Sequence, residues 1–500
     1  MKRLFRNAKW GYDGAPLNLL VEDGKVAYRG EDQPQSDAVE DLSGAYVLPG
    51  FVDCHCHILP IGLDLQKLNL YDCQSREEVG ARVQKRAAEL PENEWLLAVQ
   101  YDANRFPDGR EISATELDRW TGGRPADLRH SSGHSCVANS AALRLSGIDG
   151  STPDPRGGRI VRNEHGAPTG LLEETAMNAV SSAMPPVPRE RMVEAILTAA
   201  ERMNGFGITA ASDMMTGYFN FAAETWAYRT AMERGCTLRI RLYVLWRQAM
   251  KEAHLRKEFP DTLELRIAGA KIFADGAIGP ATAAMFDEFQ QGGRGSLIYE
   301  PKELQRRMIA AENAGYALAV HSIGDRSTEV VLDALEACKH PSRHRIEHAM
   351  LLSNEQIKRL QKLRCRVVCQ PGFMVQFGDA YKRRLGDERA ARIKPLRTLL
   401  KAGIAVALSS DAPVVPGDPW TGINAAAQRP DGFDPTEAIP RSEAVRRYTE
   451  AAAEAQGDGR LFGGLRVGQW ADFQVYDQNP MPGRARPAAL YVGGERRRLP

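Results

Sequence analysis

The 500 residues are 43% hydrophobic and 26% charged, an ordinary globular composition. Lys plus Arg number 65 against 64 Asp plus Glu, a net charge of +1, which argues against a dedicated nucleic-acid or anionic-membrane binder. Eight scattered cysteines are not a disulfide framework, and no apolar run approaches the ~18 residues of a membrane helix, so a reduced, cytoplasmic setting is expected.

In chain order, the first 45 residues read as short strands and turns: 17–21, the turn Glu22-Asp23-Gly24, then 25–28. An apolar run, 45–52, leads into Asp53-Cys54-His55-Cys56-His57. The stretch 60–205 breaks any regular alternation. It is rich in Gly, Pro and charge and holds a strand-like run near 95–100. From 207 onward strands recur at 207–213, 238–245, 265–273, 316–321, 344–348, 365–370 and 404–409. Helical segments at 301–315, 327–339, 353–363 and 393–402 separate the later ones. The last 40 residues return to short strands, 472–477 and 489–492.

Eight strands counting 47–57, with helices between them, predict an α/β fold: a (β/α)8 TIM barrel. The two β-rich ends predict one small β-sandwich domain formed by both chain termini, since neither end alone buries a sheet. The expected division is 1–46 and 460–500 for the sandwich and 47–459 for the barrel. A large insertion, 60–205, follows the first barrel strand and is expected to shape substrate binding.

Side chains alternate along a strand, so His55 and His57 share a face and Cys54 and Cys56 take the other. Two converging imidazoles are half of a metal site, although a hydrogen-bonded core pair matches the same pattern. The other strand ends strengthen the metal reading. His321 ends the fifth strand, His348 the sixth and Asp411 the eighth, where barrels carry their chemistry. Lys271 interrupts the apolar fourth strand. Burial lowers an amine's pKa, and a neutral amine takes up carbon dioxide to give a bidentate carbamate. Pairing with Asp275 or reaching the rim are equal alternatives.

The run 49–57, Pro-Gly-Phe-Val-Asp-Cys-His-Cys-His, resembles the opening signature of the amidohydrolase superfamily. The run 271–279, Lys-Ile-Phe-Ala-Asp-Gly-Ala-Ile-Gly, resembles the fourth-strand motif of the amidohydrolase family 3 branch, which includes N-substituted formamide deformylase. Arg129-His130-Ser131-Ser132-Gly133-His134 and Gly468-Gln469-Trp470-Ala471-Asp472-Phe473 resemble further signatures of it. The resemblance implies two divalent metals, zinc by donor type, held by His55 and His57 on one side and His321 and His348 on the other. Carboxylated Lys271 would bridge them. Asp411 would ligate and serve as the base towards an attacking water, then as acid towards the leaving nitrogen.

His134 is expected to hydrogen-bond the substrate carbonyl or its oxyanion, with a packing role in the insertion as the alternative. Glu174 is a weaker candidate for approaching the site. His344 reads as core, and Cys365 and Cys369 as buried packing. The expected activity is hydrolysis of a small molecule's amide, N-formyl, N-acyl or cyclic amide bond. No nucleic-acid or membrane partner is expected, and a homodimer is the commonest assembly for such chains. Two readings compete. A mononuclear deaminase would carry Glu three residues after the fifth-strand His, where Gly324 stands, while Asp325 one place later reads as a helix cap. A scaffold that has abandoned catalysis would be expected to lose ligands, and all six positions are present.

Overall fold

The apolar runs lie side by side in one eight-stranded parallel sheet. The computed structural model describes residues 1–499 apart from 92, 93, 132, 134, 156, 253 and 484. The sheet passes in chain order through Phe51–Cys56, Ile208–Thr216, Arg239–Leu245, Leu265–Phe273, Ala317–Ser322, Arg345–His348, Arg366–Cys369 and Val406–Leu408. The first, sixth and eighth strands are buried at every residue, as parallel strands covered on both faces should be. The chain after the eighth strand closes on the first. Asp411 N donates to His55 O at 2.7 Å and His57 N donates to Ala412 O at 2.8 Å. Barrel closure therefore uses the backbone of the segments that carry candidate ligands.

The helices fall within three residues of their predicted bounds: Pro301–Asn313, Asp325–Glu336, Asn354–Leu363 and Leu396–Lys401. Ser353 and Gln356 form a reciprocal capping box that starts the third of these. Asp325 does not cap its helix as expected. Gly324 takes the cap position, and the Asp325 carboxylate turns aside to accept from Phe286 N at 2.9 Å.

Both chain ends contribute to one branched eight-stranded sheet. Phe473–Tyr476 runs antiparallel to Tyr46–Pro49, with Phe473 opposite Pro49. The branch lies on Lys2–Trp10, which pairs first with Ala38–Asp41 and then with Tyr46–Pro49. Asn7, at a left-handed φ of 56°, separates the two pairings. Phe473 stacks on Tyr491 at 4.5 Å, and Phe5 meets both rings edge-on at 5.0 and 5.1 Å.

A buried bidentate pair ties this sheet to the barrel. Arg239 of the third barrel strand donates to Asp472 at 2.6 and 2.9 Å. Asp472→Ala leaves that buried guanidinium only the longer contact to Glu264, at 3.6 Å, with an expected loss of about 3–5 kcal/mol in denaturant unfolding. A loss below about 1 kcal/mol would show that the pair does not anchor the sheet.

Residues 62–191 form a separate compact unit, shorter than the predicted 60–205 because the chain from Met192 onward packs with the barrel. The unit has its own six-stranded sheet, ordered Gly158–Arg162, Pro168–Glu174, Ser135–Ala138, Ala126–His130, Leu96–Tyr101, Leu68–Asn69. Trp95, Tyr101 and Phe106 are buried in its apolar clusters and Trp120 packs against one, so these aromatics form a core. Among the described residues no helix is long and apolar enough to cross a membrane.

Candidate metal centre

The C-terminal ends of the barrel strands bring His55, His57, Lys271, His321, His348 and Asp411 towards one point. His55 Nε2 lies 3.4 Å from Lys271 Nζ and 3.4 Å from Asp411 Oδ1. His57 Nε2 is 2.9 Å from the same carboxylate oxygen. The His348 ring is centred 4.5 Å from His321 and 5.0 Å from His55. Potential ligand atoms of His55, His348 and Asp411 all fall within 4.8 Å of one another, and the three residues are buried.

Neighbours set how each imidazole presents itself. His55 Nδ1–H donates to Glu347 Oε2 at 2.5 Å, which leaves Nε2 facing Lys271 and Asp411. His348 Nδ1–H donates to Gln370 Oε1 at 2.8 Å, which frees Nε2. The Gln370 amide is oriented by its own donations to Val368 O and Ser409 Oγ. His321 Nε2–H donates to Gly276 O at 3.0 Å, so its free nitrogen is Nδ1. These are the outer partners that fix tautomer and ring direction in metal-binding histidines.

Charge follows burial. Burial, with help from Lys271, holds His321 at about 3, and burial beside His321 takes His348 well below the ordinary histidine value. Both rings are neutral near pH 7, the form that binds metals. Burial lowers Lys271 to about 8, so a fraction of its amine is neutral. Asp275 does not compensate it as a salt partner, because that carboxylate accepts from the backbone amides of Ala284, Ile323 and Gly324. Burial alone would raise Glu347, but Arg345 at 2.5 Å and His55 hold it at about 2. Burial likewise opposes ionisation of Asp411, and His55 and His57 overcome it.

His348 and Asp411 are both in the left-handed region, at φ of 75° and 63°. Each such residue costs of order 1–3 kcal/mol and persists only where the surroundings impose it. At Asp411 the constraint is visible. Ser410 donates to Asp53 from both N, at 3.0 Å, and Oγ, at 2.5 Å, while Ser410 Oγ accepts from Ala412 N at 2.9 Å. Asp53, fully buried and raised by that burial to about 6, thus clamps the turn that presents Asp411.

Glu347, Gln370, Asp53 and Ser410 were not assigned roles from the sequence. Asp53 stands within the quoted run 49–57, and Glu347 precedes His348 in the strand 344–348. A carboxylate inside an otherwise apolar strand was the signal available for both. His344 is core: it accepts from Leu318 N through Nδ1, and Nε2 faces Glu312 at 3.3 Å. Cys54, Cys56 and Cys365 donate to backbone carbonyls of Leu408, Ser212 and His344, and burial raises their thiols. Glu174 ends the strand Pro168–Glu174 in the 62–191 unit. His134 lies outside the described residues.

The donor set fits a divalent metal of the zinc type, with neutral imidazoles, one carboxylate and a partly neutral amine. His57 Nδ1 is buried and, among the described residues, without a hydrogen-bond partner, as a nitrogen kept for another ligand would be.

The chain is similar to known proteins over most of its length. The amidohydrolase family matches residues 38–495. The Bacillus subtilis (strain 168) protein YtcJ is 32% identical over 503 residues, covering 95% of this chain and 93% of its own. N-substituted formamide deformylase of Arthrobacter pascens is 29% identical over 496 residues, covering 93% and 90%. A metal-dependent hydrolase structure from Pyrococcus furiosus superposes with a TM-score of 0.79 at 25% identity, covering 96% of this chain and 100% of that one.

Proposed function

Because this chain belongs to the amidohydrolase family, we propose that it hydrolyses a carbon–nitrogen bond of a small molecule, an amide, N-formyl, N-acyl or cyclic amide. The observation that carries the reading is the convergence of His55, His348 and Asp411 within 4.8 Å, with the buried Lys271 amine 3.4 Å from His55. His55, His57, His321, His348, Asp411 and carboxylated Lys271 would hold two zinc ions. Bound there, the metals would supply an activated water and polarise the scissile carbonyl. Asp411, ionised and held against His55 and His57, takes the proton of the attacking water and returns it to the leaving nitrogen. Glu347 and Gln370 keep His55 and His348 aimed inward throughout. His134 is the candidate donor to the developing oxyanion.

The deaminase alternative meets a steric obstacle. A Cβ added at Gly324 would lie 2.0 Å from Ala284 O, so no glutamate fits where that chemistry needs its proton shuttle.

Metal content of protein purified without chelator or added metal tests the reading. About two equivalents per chain are expected, together with turnover of at least one N-acyl or amide compound. About one equivalent would sink the bridged site. No metal, with no uptake on adding zinc and bicarbonate, would sink the enzyme reading in favour of a scaffold. In Lys271→Ala the metal content should fall to one equivalent or less, and bicarbonate should not restore it. Retention of two metals in that variant would remove the bridging carbamate.

A further inference from the structure

Three of the four imidazoles at the metal centre are held by a partner on a ring nitrogen: Glu347 for His55, Gln370 for His348 and Gly276 O for His321. Among the described residues His57 has no such partner, since its Nδ1 is unpartnered and its Nε2 faces Asp411. Its main chain is held instead. His57 N donates to Ala412 O at 2.8 Å, and His57 O accepts from Ile61 N at 2.9 Å. The second of these bonds makes His57 the cap residue of the helix Ile58–Leu65. A cap side chain ordinarily accepts from the first amides of its helix, which have no partner within it. The His57 ring, turned to Asp411, does not. Asp213 takes its place: Oδ2 accepts from Ile58 N at 2.9 Å and from Leu59 N at 3.4 Å.

The barrel brings Asp213 to this position. It stands on the second strand, Ile208–Thr216, opposite Cys56 of the first and so one residue short of His57. It is 2% exposed, and a carboxylate so buried needs donors. Oδ1 accepts from Met215 N at 3.0 Å and Thr216 Oγ1 at 3.1 Å, and Oδ2 accepts also from Tyr228 OH at 2.5 Å. Burial, and then the Asp213 charge, raise the Tyr228 hydroxyl, which keeps its proton and donates. Five donors from three segments thus fix one carboxylate, and two of them are the amides that follow His57. The helix carries the chain on into the 62–191 unit, so along the chain this clamp stands between His57 and the insertion. We propose that Asp213 is the positioning residue of His57, doing through two backbone amides what Glu347, Gln370 and Gly276 do through a ring nitrogen. Its effect on metal rests on the metal centre proposed above; the backbone clamp does not.

Zinc affinity of wild type, Asp213→Ala and Tyr228→Phe, measured by competition with a chelator, tests the assignment. In Asp213→Ala one of the two ions should bind about 10- to 100-fold more weakly, the range for partners that orient a ligand, and the other as in wild type. Tyr228→Phe removes a donor from the same carboxylate without touching Ile58 or Leu59. It should lower Tm and leave both ions at wild-type affinity. Asp213→Asn keeps one oxygen for those two amides but sets its own amide against Met215 N, and should fall between wild type and Asp213→Ala. Unchanged affinity for both ions in Asp213→Ala, equal weakening of both, or a loss matched by Tyr228→Phe overturns the proposal. Backbone hydrogen exchange reads the clamp without metal. In metal-free wild type the Ile58 and Leu59 amides should exchange as slowly as those within the barrel strands, although first-turn amides are ordinarily open. They should exchange faster in Asp213→Ala and not in Tyr228→Phe. Rapid exchange at both in wild type overturns the clamp, and needs no variant to fold. Protected amides in a wild type that binds no zinc sink the proposed function and leave Asp213 as the clamp on His57.

Discussion

Asp411→Asn lowers kcat on an amide substrate by about 10²- to 10⁴-fold, the range of one lost general acid–base group, while metal content by mass spectrometry stays close to that of wild type. The structure separates these two effects. The turn presenting Asp411 is held by the Asp53–Ser410 clamp and by the Asp411 amide on His55 O, none of which involves the Asp411 side chain. An asparagine therefore keeps the position and an oxygen that can still face the site. It loses the negative charge that His55 and His57 stabilise there, and with it the capacity to carry a proton. A kcat within tenfold of wild type would remove Asp411 from the proton path.

The second large effect lies behind the donor atoms. Glu347 joins His55 and Arg345, both of them buried, at 2.5 Å each. Glu347→Ala strands the Arg345 guanidinium, and the expected loss is about 3–5 kcal/mol of stability in denaturant unfolding. It also releases Nδ1 of His55, so the ring is no longer confined to the rotation that aims Nε2 at Lys271. Metal affinity, measured by competition with a chelator, should fall about 10- to 100-fold. Glu347→Gln keeps an acceptor without the charge and should fall between wild type and Glu347→Ala on both measures. Undiminished metal affinity in Glu347→Ala would show that His55 is oriented by other means.

The barrel was legible because its strands are buried on both faces and bounded by turns, which leaves long apolar runs such as 265–273 in the sequence. The histidines were legible because strand ends are where a barrel keeps its polar atoms. What surrounds them was not. Whether Lys271 meets Asp275 or His55 depends on three backbone amides, from Ala284, Ile323 and Gly324, that no spacing rule brings together. The clamp on Asp411 joins residues 53 and 410, partners only after the barrel closes. The insertion was legible only in part, through its strand-like run near 95–100. Its Gly- and Pro-rich turns hide that its six strands pair with one another around a core of their own.

The branched sheet has a consequence for how this chain is made. On the ribosome, Tyr46–Pro49 emerges more than 420 residues before Phe473–Tyr476, the strand that pairs with it. Throughout that interval its row of amides and carbonyls is an open template for any other extended chain. Asp411 is likewise withheld from His55 until the eighth strand arrives. The nascent protein thus depends on its last segment to seal its first, and a ribosome stalled anywhere before residue 473 would release a chain whose sticky edge has never been covered.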